Sequence, residues 1–432
     1  MMRSIVLIGI ATILLALLAS SAFAGGAVQA HTWKYIISPA EGSLEIRSPS
    51  VGVGSDGKIW VAYVDGSDTY NINVTWYDGT QWHSKNIMRA TMSTTGSGAG
   101  YRMISMSVVN NEPHVFYYTE DSNKVNGYLN HTYYDGSEWH TEIVWQGSLV
   151  SNTGTTAPPL IAKYYDGTFY ILFQVCCLNI TQNPEDALYL ITGTTGHWTS
   201  PQIVIKESGS HGLYGDLAVY NSTKVGILIY DMFSSSSNKI YYLKYTEFNG
   251  VTFSPIENFS SSDDDYVAKL AFNSTGVPHV YDEYQYNSQN SYVAQWVRNK
   301  NGTWTRTYID TRDNNPGGPI YATTSLDGTI TLAYNIDGQS GIQFAQQTAT
   351  GWDIETLSDP LSGNAFAHLA SIAFDSSGNI YVAYMNWDST KSRGDTSHIV
   401  IATTNSTVPE LSDWAMAFAF TMIAGVAILR KL

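Results

Sequence analysis

Short apolar runs alternate with polar turns along the chain, and the alternation has a long period. A turn of small and polar residues leads into an apolar run that ends in an aromatic, as in Ser55-Asp56-Gly57-Lys58-Ile59-Trp60-Val61-Ala62-Tyr63. The pattern returns at residues 110–118, 166–173 and 221–230, and three more times further on. The closing aromatics are Tyr63, Tyr118, Phe173, Tyr230, Tyr281, Tyr334 and Tyr384, a spacing of 50 to 57 residues. Self-similarity at a fixed period marks a repeat architecture, in which each repeat is one supersecondary unit.

A second pattern interleaves with the first. Asp78-Gly79-Thr80-Gln81-Trp82, Asp135-Gly136-Ser137-Glu138-Trp139 and Asn301-Gly302-Thr303-Trp304 read as tight turns whose closing aromatic opens a strand. Asp-Gly and Asn-Gly supply the positive φ such hairpins need. The strand that follows alternates, as in Trp82-His83-Ser84-Lys85-Asn86-Ile87, which suits a half-exposed outer edge. Further apolar runs precede the first pattern, at 50–53, 101–107 and 268–272, or separate the two, at 71–77, 128–134 and 292–298. Each unit therefore holds four strands, a to d, and the chain is predicted to be an all-β, seven-bladed β-propeller. Six or eight blades, or separate sandwich domains, are the competing arrangements. The seventh unit stops after its c strand at 397–403, and a lone d-like strand stands at 32–38. Pairing these two would close the wheel and leave no open sheet edge. The propeller then spans 31–403.

Composition narrows the class. The 432 residues carry 22 Lys+Arg against 37 Asp+Glu, a net charge of −15, so the basic surplus that nucleic-acid binding needs is missing. With 44% hydrophobic residues the chain is not a disordered acidic segment. Two cysteines make no disulfide framework. Cys176 and Cys177 are adjacent, and form either a vicinal disulfide or two thiols. Residues 1–30 read as a secretory signal: Arg3, an apolar run, then Ala22-Phe23-Ala24 and Val28-Gln29-Ala30 as cleavage frames. An uncleaved anchor is the alternative. Residues 404–413 read as a stalk with a sorting motif, and 414–432 as a membrane helix with the basic end Arg430-Lys431.

Two resemblances follow from these residues. Val408-Pro409-Glu410, with Ser412 and Trp414-Ala415-Met416 before the basic end, resembles the PEP-CTERM class of prokaryotic sorting signals, with Leu411 where the second proline usually stands. That resemblance implies a sorting peptidase as partner, contact with the membrane, and an extracellular address. The Asp78 and Asn301 turns resemble the BNR or Asp-box repeat that joins strands c and d of certain propellers. Sialidases belong to that class and use three arginines. Arg47, in Ile46-Arg47-Ser48-Pro49, resembles one family segment, and Arg102 opens the second unit, but no third arginine matches.

Candidate chemistry gathers after the b strands, where Asp65, Glu120, Asp231, Asp282, Glu283, Asp337 and Asp388 recur. A ring of such oxygens at one end of a propeller would suit Ca²⁺ or sugar hydroxyls, or would only cap the turns. It would also make that face electronegative. Sequons stand at Asn73, Asn130, Asn179, Asn221, Asn258, Asn273, Asn301 and Asn405. The leading expectation is an exported binding, adhesion or envelope module for glycans or surface proteins. The alternative is an extracellular carbohydrate-active enzyme (glycosidase, sialidase-like or lyase) on the same scaffold.

Overall fold

The computed structural model describes residues 31–408 except 39–45, 66–69, 91–103, 121–125, 149–159, 176–184, 209–210, 235–238, 263–267, 288–289, 312–319, 336–340, 358–367 and 388–396. The signal and sorting segments, 1–30 and 409–432, and the cysteine pair lie outside the described residues. The chain divides into Met1–Thr32 and Trp33–Leu432, and every described strand belongs to the second unit.

Seven antiparallel sheets follow one another, as the repeat predicts. Their innermost strands are Ile46–Val53, Ile104–Val109, Leu160–Tyr165, His211–Asn221, Lys269–Phe272, Tyr321–Thr324 and His368–Phe374. Each packs beside the innermost strand of the next sheet, and the first packs beside the seventh. Among the described residues the centres of the second strands are buried, as in Ile330–Tyr334, because both of their faces meet a neighbouring sheet. Outer strands alternate, as in Trp304–Asp310. No helix occurs among the described residues.

The seventh sheet takes its fourth strand from the other end of the chain. Lys34–Ile37 runs antiparallel to Ser397–Thr403, with Lys34 opposite Thr403 and Ile37 opposite Val400. Ile36 is buried in a cluster with Val51, Tyr381 and Ile401.

Two outer strands depart from the expected form. In the third sheet His197–Trp198 pairs with Glu185–Thr194, pairing lapses, and Gln202–Ser208 resumes on the same partner. In the fourth, Phe253 makes only a lone bridge to Phe248, and the strand proper is Glu257–Ser262. Pro201 and Pro255 stand in the two gaps and have no N–H to give a ladder. Residues 404–408 run against the seventh sheet. The Thr404 amide donates to the Ile380 carbonyl at 3.1 Å, and Asn405 Nδ2 donates to the Tyr381 hydroxyl at 2.7 Å. Val408 is buried, and its carbonyl accepts from Lys34 Nζ at 3.0 Å.

Neighbouring sheets are stapled along the axis. The Oγ atoms of Ser371, Ser50 and Ser105 accept the amides of Val51, Met106 and Ala162 at 2.9, 3.1 and 3.0 Å. Between the fourth and fifth sheets the same task falls to Asp216, whose Oδ2 accepts the Leu270 amide at 2.8 Å. These bonds satisfy polar backbone that the sheet ladders leave unpaired in a buried place.

Candidate functional site

The innermost strands of all seven sheets line an axial cavity of about 210 Å³. Most of its wall is what an inner strand needs: serines already used as staples, and Val51, Ile104, Ile161, Ala322 and Ile372. Four residues are different. Lys163, Asp216, Lys269 and Tyr321 come from the third, fourth, fifth and sixth sheets and meet on one side of the wall.

Their geometry is specific. Lys269 Nζ lies 3.1 Å from Asp216 Oδ1, and both side chains are under a tenth exposed. Asp216 thus spends one oxygen on the ion pair and the other on the Leu270 amide. The Lys163 and Lys269 ammonium groups lie 5.8 and 5.7 Å from the centroid of the Tyr321 ring, within cation–π range. Interaction with the Tyr321 phenol oxygen holds the Lys163 ammonium above the usual lysine range despite burial, and Asp216 acts in the same direction.

None of these four carried a site expectation. Two stood inside runs that otherwise read as apolar strands: Lys269 in Ala268-Lys269-Leu270-Ala271-Phe272, and Lys163 in Ile161-Ala162-Lys163-Tyr164. A charge within an apolar inner strand was the available signal.

The residues expected after the b strands do not form an open ring among those described. Asp231 is buried and takes Lys244 Nζ at 2.6 Å, with Glu207 on the same ammonium at 3.2 Å. Asp282 is buried and accepts Trp296 Nε1 at 3.0 Å. Asp65 is half-buried, and burial holds its carboxyl above the usual range. Asp231 and Asp282 serve their own sheets, which removes part of the negative face the sequence suggested. Register places Asp231 three residues beyond Leu228, the partner of Asp216, so it sits ~10 Å along the axis from the lysine cluster. Glu120, Glu283 and Arg47 are described as strand positions only, and Asp337, Asp388 and Arg102 lie outside the described residues.

The c–d turns show why aspartate recurs there. Asp135 Oδ1 accepts the amides of Ser137 and Glu138 at 2.8 Å, and its Oδ2 meets His140 Nε2 at 2.7 Å. Asp78 repeats this with Thr80, Gln81 and His83. The Gln81 amide first, then His83 and Thr80, hold the Asp78 carboxyl well below the usual range. Gly79 and Gly136, at φ 96° and 89°, complete the turns. Asp135, Glu138 and His140 also stand close enough together to meet one ion, but their hydrogen bonds already account for the turn.

Among the sequons, Asn221, Asn273, Asn301 and Asn405 share one geometry: Oδ1 accepts both the amide and the hydroxyl of the threonine two residues on. Asn130 differs. It is buried, and its Nδ2 donates to Thr119 Oγ1 at 2.8 Å, which leaves no room for a sugar. Asn73 Oδ1 accepts from Asn86 Nδ2, Asn258 lies on an exposed outer strand, and Asn179 is outside the described residues.

No protein-family profile and no curated protein matches the chain. Solved structures do. A polysaccharide lyase of family PL25, an ulvan lyase, is 13% identical with a TM-score of 0.53, over 86% of this chain and 94% of that one. The likeness is one of fold. An α-L-arabinanase from Penicillium chrysogenum is 10% identical with a TM-score of 0.49, over 87% and 98% of the two chains. A Hadza microbial sialidase is 12% identical with a TM-score of 0.47, over 84% and 67%.

Proposed function

We propose that the chain is an exported carbohydrate-active enzyme whose chemistry is done in the axial cavity. The observation that carries this reading is Tyr321, a phenol held beside two ammonium groups in a cavity that the sheets could have filled with serine and valine. Tyr321 is the proton-transfer group for cleavage of a glycosidic bond, with the Lys163 and Lys269 ammonium groups set against its ring. Asp216 fixes Lys269 and staples two blades. This reading takes the enzyme alternative over the adhesion module. The solved structures of similar fold that are named for acting on polysaccharides are compatible with it, as analogy only.

The remaining parts follow the sequence. Residues 1–30 direct export, and residues 408–432 engage a sorting peptidase and the membrane at the cell surface. Pairing of Lys34–Ile37 with the seventh sheet closes the wheel. Asp65, Glu120, Glu283, Asp337 and Asp388, with Arg47 and Arg102, form the rim a polymer crosses, where Ca²⁺ is a candidate bridging ion.

The test is a panel of neutral and acidic polysaccharides. New reducing ends report cleavage of either kind, and ultraviolet absorbance of an unsaturated product separates elimination from hydrolysis. Turnover that falls at least a hundredfold in Tyr321→Phe, with binding retained, is the expected result. Binding without turnover on every polymer overturns the enzyme reading and restores the binding module.

A further inference from the structure

We propose that the axial cavity recognises the oxyanion of an acidic sugar, a carboxylate or a sulfate, through Lys163 and Lys269. This rests on the reading of the cavity as a saccharide site and names the class of saccharide it takes.

The argument is one of charge and space. Among the described residues lining the cavity, the formal charges are Lys163, Lys269 and Asp216, one more positive than negative. Both Asp216 oxygens are committed, one to Lys269 and one to the Leu270 amide, so its charge is spent on the fifth sheet. Tyr321 brings its ring to both ammonium groups and no formal charge. The described part of the wall therefore carries one more positive than negative charge, on groups that are partly or wholly withdrawn from water. It does so in a chain of net charge −15, and among the described residues only Asp216 brings a carboxylate to that wall.

The space fits the same conclusion. At about 210 Å³ the cavity is far larger than the ~30 Å³ a water molecule occupies. Its apolar wall suits the face of a sugar ring, and the one-sided cluster of cations gives that ring an orientation. A carboxylate or sulfate is the group that ammonium donors bind with charge-assisted hydrogen bonds.

The experiment is calorimetric titration of the full chain with three probes: a methyl hexuronide, a sulfated methyl hexoside and the neutral methyl hexoside. The expected result is binding of at least one acidic probe tenfold or more tighter than the neutral one, weakening as salt rises. Lys163→Met should cost that probe at least tenfold, while Lys163→Arg, which keeps the charge, should restore most of it. Circular dichroism establishes that both variants are folded. Preference between uronate and sulfate assigns the oxyanion. Equal affinity for acidic and neutral probes, affinity unchanged in Lys163→Met, or no binding of either acidic probe overturns the inference. The proposed function fails separately. Cleavage of a neutral polymer only, lost in Tyr321→Phe, would keep the enzyme and remove the anion site. Acidic-sugar binding lost in Lys163→Met, with no polymer cleaved, would keep the anion site and remove the enzyme.

Discussion

Asp216 gives the sharpest stability prediction, because one side chain does two separable jobs. Its Oδ2 staples the fourth blade to the fifth through the Leu270 amide, as serines do elsewhere on the axis. Its Oδ1 pairs with Lys269, and both groups are almost wholly buried. Breaking a buried ion pair from one side costs about 3–5 kcal/mol, because the other charge is stranded. Losing a staple alone costs about 1–3 kcal/mol for the unmet amide. Asp216→Ala removes both functions and should lose about 4–6 kcal/mol, since the two terms share a side chain and do not simply add. Asp216→Ser can keep the staple and should lose only the ion-pair part. Ser105→Ala, which removes a staple without stranding a charge, should lose the least. Equilibrium denaturation by urea, read by tryptophan fluorescence with the slope held constant, ranks the three. If Asp216→Ala were no worse than Ser105→Ala, the assignment of a buried ion pair to the axis would be wrong.

Acid should weaken the fold through its buried histidines. Burial holds His114 at about 3 and His279 at about 4, against 6.5 when unfolded. A histidine with a lowered folded value favours the neutral form, so its contribution is complete above pH 6.5 and is lost as pH falls toward the folded value. Each should cost about 2 kcal/mol by pH 5, and stability curves of His114→Gln should be correspondingly flatter. Glu142→Ala should loosen the second blade from the third, because Glu142 takes the Gly196 amide, Trp198 Nε1 and His131 Nδ1 together; a melting temperature equal to wild type would refute that. Ile36→Ala should cost about 2–5 kcal/mol although it lies at the chain's beginning, and an unchanged urea midpoint would show that the first strand is dispensable. In a glycosylating host, site-resolved mass spectrometry should find sugar at Asn301 and none at Asn130.

The propeller was legible because its information is periodic. Seven aromatics at similar spacing and repeated Asp-Gly or Asn-Gly turns each specify a local hairpin, and seven hairpin sets leave few architectures open. Breaks at Pro201 and Pro255 were legible in principle, since a residue without an N–H cannot join a ladder. The axial cluster was not read, for a physical reason. Lys163, Asp216, Lys269 and Tyr321 belong to four different blades and share no motif, so only the arrangement of successive sheets around one axis makes them neighbours. The carboxylates after the b strands were visible but misleading. Asp231 and Asp282 resemble ligands in a row of letters, yet Lys244 and the Trp296 indole reach them first.

The contact between Lys34 Nζ and the Val408 carbonyl has a topological consequence. It brings the outgoing backbone of the last sheet beside the incoming backbone of the first strand, on the rim that carries the hairpins joining strands a to b. A short linker could splice these two points, and the chain could be cut at any a–b hairpin to yield a circular permutant with every sheet intact. Any tether attached at either point grips the disc by the same spot and turns the opposite rim, where b–c and d–a connections leave the blades, toward the surroundings.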